Sequence, residues 1–92
     1  MIVAFDVDGT LIDDEDQPRR HVIALLEAFV DVGADVLVWS GGGFDYARHW
    51  VRRLWLEGVT VAEKGSVRVD LAVDDEIVDL GVVNLKVSRE KP

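Results

Sequence analysis

Asp6-Val7-Asp8-Gly9-Thr10, read with the apolar run Ile2-Val3-Ala4-Phe5 that leads into it, decides the fold. A short, continuously apolar run ending in an acidic, glycine-containing turn predicts a buried strand over residues 2–5. Residues i and i+2 of an extended chain point to the same side, so Asp6 and Asp8 project together from the strand's carboxyl end. Two carboxylates beside an apolar strand repel each other and resist desolvation unless a cation joins them. A divalent metal satisfies that requirement. Functional groups of open α/β sheets also gather at the carboxyl ends of strands. The competing reading is a plain strand-to-helix turn, where Asp and Gly are common for conformational reasons alone.

Outward from this strand, the chain alternates between two periodicities. Pro18 suits the first turn of a helix, and Val22, Leu25, Leu26 and Phe29 follow at i, i+3, i+4, i+7 spacing. Gly33 is a natural stop. Residues 36–39 predict a second buried strand, closed by Ser40-Gly41-Gly42-Gly43. A second helix is expected over 44–57, with Trp50, Val51, Leu54 and Trp55 on its apolar side. Strands are expected at 59–62, 67–73 and 82–87, and a frayed end at 88–92. The order β-α-β-α-β-β-β predicts a three-layer α/β fold with a mostly parallel, about five-stranded sheet.

The 92 residues suffice for one domain, 1–92, with one core. No apolar run approaches the ~20 residues a membrane helix needs, and no basic stretch leads into a signal-type segment. The expectation is a cytoplasmic protein. Without cysteine, disulfides, thiolate metal sites and thiol catalysis are excluded. The formal charge of −8 argues against a general nucleic-acid binder, while leaving room for a local basic patch. Acids cluster at 13–16 (DDED) and 74–76 (DDE). The first reads as a solvated loop; a bound divalent cation would offset part of the second.

The string DVDGTLID at 6–13 resembles the first signature of the haloacid dehalogenase (HAD) superfamily, in the form its phosphatases use. The resemblance implies that Asp6 attacks phosphorus to give an aspartyl-phosphate, a known kind of carboxylate nucleophile. It implies that Asp8 protonates the leaving oxygen and then activates water, and that its main-chain carbonyl ligates Mg²⁺. Gly9 and Thr10 would form the tight turn that aims these groups. Three further signatures follow in the family's order. Ser40, ending the second strand, would bind a phosphoryl oxygen together with free N–H groups of the glycine loop. Lys64, the only lysine before residue 86, would hold Asp6 and the transferring phosphoryl group. Asp74 and Asp75 close a strand, and the resemblance implies Asp75 as the direct metal ligand with Asp74 beside it. The reverse assignment stays open. Carboxylates with water and phosphate oxygens are the ligands Mg²⁺ prefers. The implied metal set is thus Asp6, Asp8, Asp74 and Asp75.

The resemblance spans roughly residues 1–87, with three departures. The stretch between Thr10 and the first helix is too short for a cap, which implies an open site. If the sheet has the family's order, with the first strand central, the connection from Ala62 to the fourth strand must pass two intervening strands and return to the bottom of the sheet, a vector of ~21 Å against a reach of ~24 Å. The helix that carries the family's lysine is therefore expected to be missing, with Lys64 on a taut loop; the alternative is a vestigial third strand. Finally, nothing evident covers the fifth strand, an edge that could recruit a second copy as a homodimer. The expected function is a Mg²⁺-dependent phosphatase acting on a phosphorylated small molecule or an exposed phosphate of a macromolecule. A polynucleotide end-phosphatase is a variant, with Arg19, Arg20, Arg48, Arg52 and Arg53 near Tyr46 and Trp50 as phosphate contacts. A noncatalytic binding or regulatory module is the alternative. His21 and His49 read as ordinary helix residues, and Trp39, Trp50 and Trp55 as packing.

Overall fold

The computed structural model describes residues 1–90. The elements run β1 (Ile2–Asp6), α1 (Arg20–Asp31), β2 (Asp35–Trp39), α2 (Phe44–Arg53), β3 (Val59–Val61), β4 (Val69–Asp74) and β5 (Gly81–Lys86). The five strands form one sheet in the order β3-β2-β1-β4-β5, and every neighbouring pair is parallel. The expected element order and the central position of β1 are both met.

Strand alternation divides the core. Val3 and Phe5 of β1 pair in register with Val36 and Val38 of β2, and Phe5 also pairs with Val73 of β4. These residues share one face of the sheet. They pack with Val22, Ile23 and Leu26 of α1 and with Ala47 and Trp50 of α2 in one cluster. Phe5 meets Phe29 edge-on, with ring centroids 6.4 Å apart. A smaller cluster joins Ala4, Trp39 and Ala72 of the opposite face with Val69 at the start of β4, has Ile2, Leu37 and Leu80 against it, and contains no helical residue. The three-layer expectation therefore differs from what is observed: α1 and α2 cover the same face. Right-handed crossovers explain this. Both helical connections step from β1 towards β3, so both lie on one side. The β3–β4 and β4–β5 connections step the other way and pass over the second face. Neither contains a helix.

Local differences have local causes. Pro18 does not open α1; it pairs with Ile12 in an antiparallel bridge, while Arg19 stays extended and donates its N–H to Leu11 O at 2.8 Å. Gly33 ends α1 as expected, at φ 86°, with Ala34 N–H reaching back to Phe29 O. The second helix stops at Arg53 rather than 57, because Trp55 turns to φ 58° and Leu56 N–H bonds back to Val51 O. That turn leaves Trp55 88% exposed, so its expected packing role is corrected, whereas Trp39 and Trp50 are buried. Strand β5 is the open edge, with Val82, Val83 and Leu85 exposed. No helix among the described residues is long and apolar enough to cross a membrane.

Candidate active site

Asp6 is the last residue of β1, and Asp74 is the last of β4. The register that pairs Phe5 with Val73 sets these two acids side by side at the carboxyl ends of adjacent strands. Alternation puts Asp6 on the face of Ala4 and Asp74 on the face of Ala72, which is the face without helices. The connection 62–68 crosses that face, and Lys64 lies on it. Its Nζ donates to Asp6 Oδ1 at 3.1 Å and to Asp74 Oδ2 at 2.8 Å. The taut loop thus delivers Lys64 to the acids without a helix.

The turn after β1 brings in more groups. The N–H groups of Thr10, Leu11 and Ile12 converge on Val7 O at 3.1, 2.9 and 3.2 Å. Gly9 sits at φ 77°, and a Cβ there would collide with the Asp75 carboxylate. Only glycine combines that dihedral with that approach. Thr10 is fully buried, its hydroxyl 3.5 Å from Asp6 Oδ2 and 3.4 Å from Asp75 Oδ1. One proton serves these two acceptors in turn. Asp74 Oδ1 accepts from Glu76 N–H at 3.0 Å, and Asp75 Oδ2 accepts from Arg89 Nε at 2.6 Å. Asp6, Asp74 and Asp75 are all buried, and each offers one oxygen within 4.8 Å of the other two.

Electrostatics show what this cluster lacks. Burial, and next the charge of Asp74, push the Asp6 carboxyl up to about 7 against the counter-pull of Lys64. Burial is the largest single influence on Asp75 and pushes it upward, but the Arg89 hydrogen bond, a backbone hydrogen bond and the Arg89 charge together outweigh it and hold Asp75 below the usual carboxylate range. Desolvation pulls Lys64 down, yet its bonds to Asp74 and Asp6 raise it overall. Three carboxylates face two cationic side chains, and the deficit falls on Asp6. A hard divalent cation takes oxygen ligands and would supply the missing positive charge, and Asp6, Asp74 and Asp75 could hold one.

Of the residues singled out in the sequence, Asp6, Lys64, Asp74 and Asp75 come together. Asp8 stands outside the three-acid cluster: its side chain is exposed, and its Oδ1 accepts from Tyr46 OH at 2.7 Å. Ser40 is buried after β2, where its Oγ accepts from Gly42 N–H at 3.0 Å. Arg19 is corrected as a phosphate contact, because its guanidinium donates to Gly9 O at 2.7 Å, Ser88 O at 2.5 Å and Glu90 O at 3.4 Å. The same bonds dock residues 88–90, against the expectation of a frayed end; 91–92 lie outside the described residues. Arg48, Arg52 and Arg53 line a shallow open cavity on α2 with Asp45 and His49, and Arg53 stacks over Trp50 at 5.5 Å. Two participants were missed. By sequence alone Tyr46 is only an aromatic beside arginines, and Arg89 falls within the expected frayed end. Asp74 pairs in register with Lys86, so Arg89 falls just past the carboxyl end of the sheet beside Asp75. That signal exists only once the β4–β5 pairing is known.

No family model matches the chain, and no solved structure matches it. The chain is similar to an uncharacterised 38.0 kDa protein of Autographa californica nuclear polyhedrosis virus, at 32% identity over 73 residues, covering 73% of this chain and 23% of the viral protein. The chain thus spans about a quarter of the length of that relative.

Proposed function

We propose that the chain is a Mg²⁺-dependent phosphomonoesterase with a reduced, capless HAD-like fold, acting through an aspartyl-phosphate on Asp6. One observation carries the reading: Lys64 bridges Asp6 and Asp74 with both acids buried, although the lysine lies 58 residues from one and 10 from the other. Of the six groups that the resemblance assigns to one centre, Asp6, Lys64, Asp74 and Asp75 meet, while Asp8 accepts from Tyr46 OH and Ser40 from Gly42 N–H. The parallel sheet with β1 at its centre agrees with this fold, the third layer being reduced to the connection 62–68. The turn converging on Val7 O and the antiparallel bridge between Ile12 and Pro18 follow the nucleophile strand directly, where members of that superfamily carry a short helical turn and a hairpin flap, and are compatible with a shortened form of both.

In this mechanism an oxygen of Asp6 attacks the phosphorus of a phosphomonoester. The Asp6 O–P bond forms as the P–O bond to the leaving group breaks, and the leaving oxygen takes a proton from Asp8. Tyr46 OH occupies Asp8 Oδ1 and so leaves the second oxygen to carry that proton. A water molecule then attacks the phosphorus and gives its proton to Asp8, and the Asp6 O–P bond breaks to release inorganic phosphate. Lys64 holds Asp6 in place and stabilises charge on the phosphoryl oxygens. Bound Mg²⁺ would supply electrophilic stabilisation of the phosphoryl group and neutralise the carboxylates. Asp6, Asp75 and the Asp8 main-chain carbonyl would hold it. Asp74 suits the supporting role, since Lys64 and Glu76 N–H occupy both its oxygens.

The absence of any cap segment between β1 and α1 or after β3 suits substrates that keep most of their surface in solvent, a small phosphomonoester or a phosphate exposed on a macromolecule. The test is phosphate release from p-nitrophenyl phosphate, with Mg²⁺ and with EDTA, in wild type and Asp6→Asn. Release that needs Mg²⁺ and disappears in Asp6→Asn is the expected result. Release that survives the substitution refutes the assignment of Asp6. A folded wild type inactive on this ester and on a panel of nucleotide and polynucleotide phosphates refutes the enzyme reading in favour of a binding module.

A further inference from the structure

Arg89 is not among the groups the resemblance assigns, yet it makes the shortest side-chain bond to the acid cluster, 2.6 Å from its Nε to Asp75 Oδ2. The segment that carries it is fixed from two sides. Val87 N–H continues the β5 ladder to Asp74 O at 2.8 Å. Arg19 ties Ser88 O to Gly9 O, the turn that follows the nucleophile strand. Arg89 therefore approaches Asp75 from a docked main chain. The two oxygens of Asp75 are differentiated as a result. Oδ2 belongs to Arg89, while Oδ1 is turned towards Thr10 and, through it, towards Asp6.

We propose that Arg89 is a positioning residue for Asp75: by occupying Oδ2 it fixes the carboxylate so that Oδ1 faces Asp6 and is presented to the divalent cation. The inference rests on the reading of Asp75 as a metal ligand. Two effects of the guanidinium oppose each other. Its charge disfavours a nearby cation, and its hydrogen bond fixes the ligand. Arg89 is 56% exposed in its side chain, so water screens the repulsion, whereas the bond acts on a buried carboxylate. Orientation is therefore the larger effect. Partners of ligating side chains typically contribute 10–100-fold to metal affinity.

Binding of Mn²⁺ alone, followed by electron paramagnetic resonance at pH 8, tests this in wild type, Arg89→Ala, Arg89→Lys and Asp75→Asn, each checked for folding by circular dichroism. Arg89→Ala is expected to bind Mn²⁺ roughly 10–100-fold more weakly, with part of the loss recovered in Arg89→Lys, which keeps a donor and the charge. Unchanged or tighter binding in Arg89→Ala overturns the proposal. So does an equal loss in both Arg89 variants, which would make docking of the segment, not the donor, responsible. Asp75→Asn separates the two readings: if it binds Mn²⁺ like wild type, Asp75 is no ligand and the site assignment itself fails.

Discussion

Replacing Asp6 by Asn should make the metal-free protein more stable, although it removes a partner of Lys64. Asp6 is raised from 3.8 to about 7 in the folded chain. Between those values the folded state holds a proton that the unfolded state has lost, so stability falls as pH rises from ~4 to ~7 and then levels off. Each unit of displacement corresponds to 1.36 kcal/mol, so ionised Asp6 costs the fold at most about 4 kcal/mol at pH 8. Asn keeps the shape without the charge, and Lys64 retains Asp74. The variant should therefore lead wild type by about 2–4 kcal/mol in EDTA at pH 8 and match it near pH 4. For a domain of this size the gain reads as a rise of roughly 10–25 °C in Tm. Asp75, whose lowered pKa works in the opposite direction, is common to both proteins and cancels to first order. Mg²⁺ should close the gap from the other side, raising wild type by about 2.7 kcal/mol at a hundred times its Kd while acting less on Asn. Urea unfolding across pH 4–8 measures all of this. A variant less stable than wild type at pH 8 in EDTA, or a difference that does not change with pH, would refute the claim that Asp6 is buried short of positive charge.

Lys64→Met should cost about 3–5 kcal/mol in EDTA at pH 8, since it leaves Asp6 and Asp74 buried without their shared cation; the same variant should lower turnover by at least about 100-fold, read from phosphate release. Gly9→Ala should destabilise by about 1–3 kcal/mol, because the turn holds φ at 77° and the added Cβ meets the Asp75 carboxylate; denaturant midpoints decide it, and a neutral outcome would mean that the turn relaxes freely. Trp50→Ala should cost about 3–5 kcal/mol and Trp55→Ala no more than about 0.5, a contrast that thermal unfolding of the two variants checks directly.

What the sequence made legible was whatever depends on near neighbours. The apolar run into Asp6, the 3.6-residue spacing of α1 and the stop at Gly33 are local patterns, and each appears where expected. The candidate site was legible for a different reason: Asp6, Lys64, Asp74 and Asp75 stand in a recognisable order, although no local rule brings them together. The missed features depend on pairings that the sequence does not display. Pro18 suits a helix start until Ile12 takes it into a bridge. Trp55 continues the apolar stripe of α2 until the chain turns to φ 58° one residue after its cap. Arg89 acquires meaning only from the register between β4 and β5. Distance in the chain, more than chemical ambiguity, set the limit.

The lack of a helix over the second face among the described residues and the position of Lys64 have one cause. A connection from β3 to β4 must cross β2 and β1 on the face opposite α1 and α2, because its direction along the sheet is reversed. Asp6 and Asp74 turn their side chains to that same face by strand alternation, so a lysine on the crossing segment meets them whether or not the segment is helical. A helix would shorten its reach, at 1.5 Å per residue against ~3.4 Å extended, and seven residues coiled that way could not span the gap. The short loop therefore excludes the helix and at the same time draws Lys64 tight across the acids. The remaining cover is thin, and the residues beneath match it: Trp39 of β2 supplies bulk in the cluster that holds the small Ala4 and Ala72, and Leu80 lies 3.6 Å from where a Cβ of Gly65 would stand. Lengthening the connection with glycine–serine residues after Lys64 should loosen the lysine before it loosens the sheet. Turnover would then fall while unfolding stays cooperative, whereas a loop whose tension is irrelevant would accept the insertion with both unchanged.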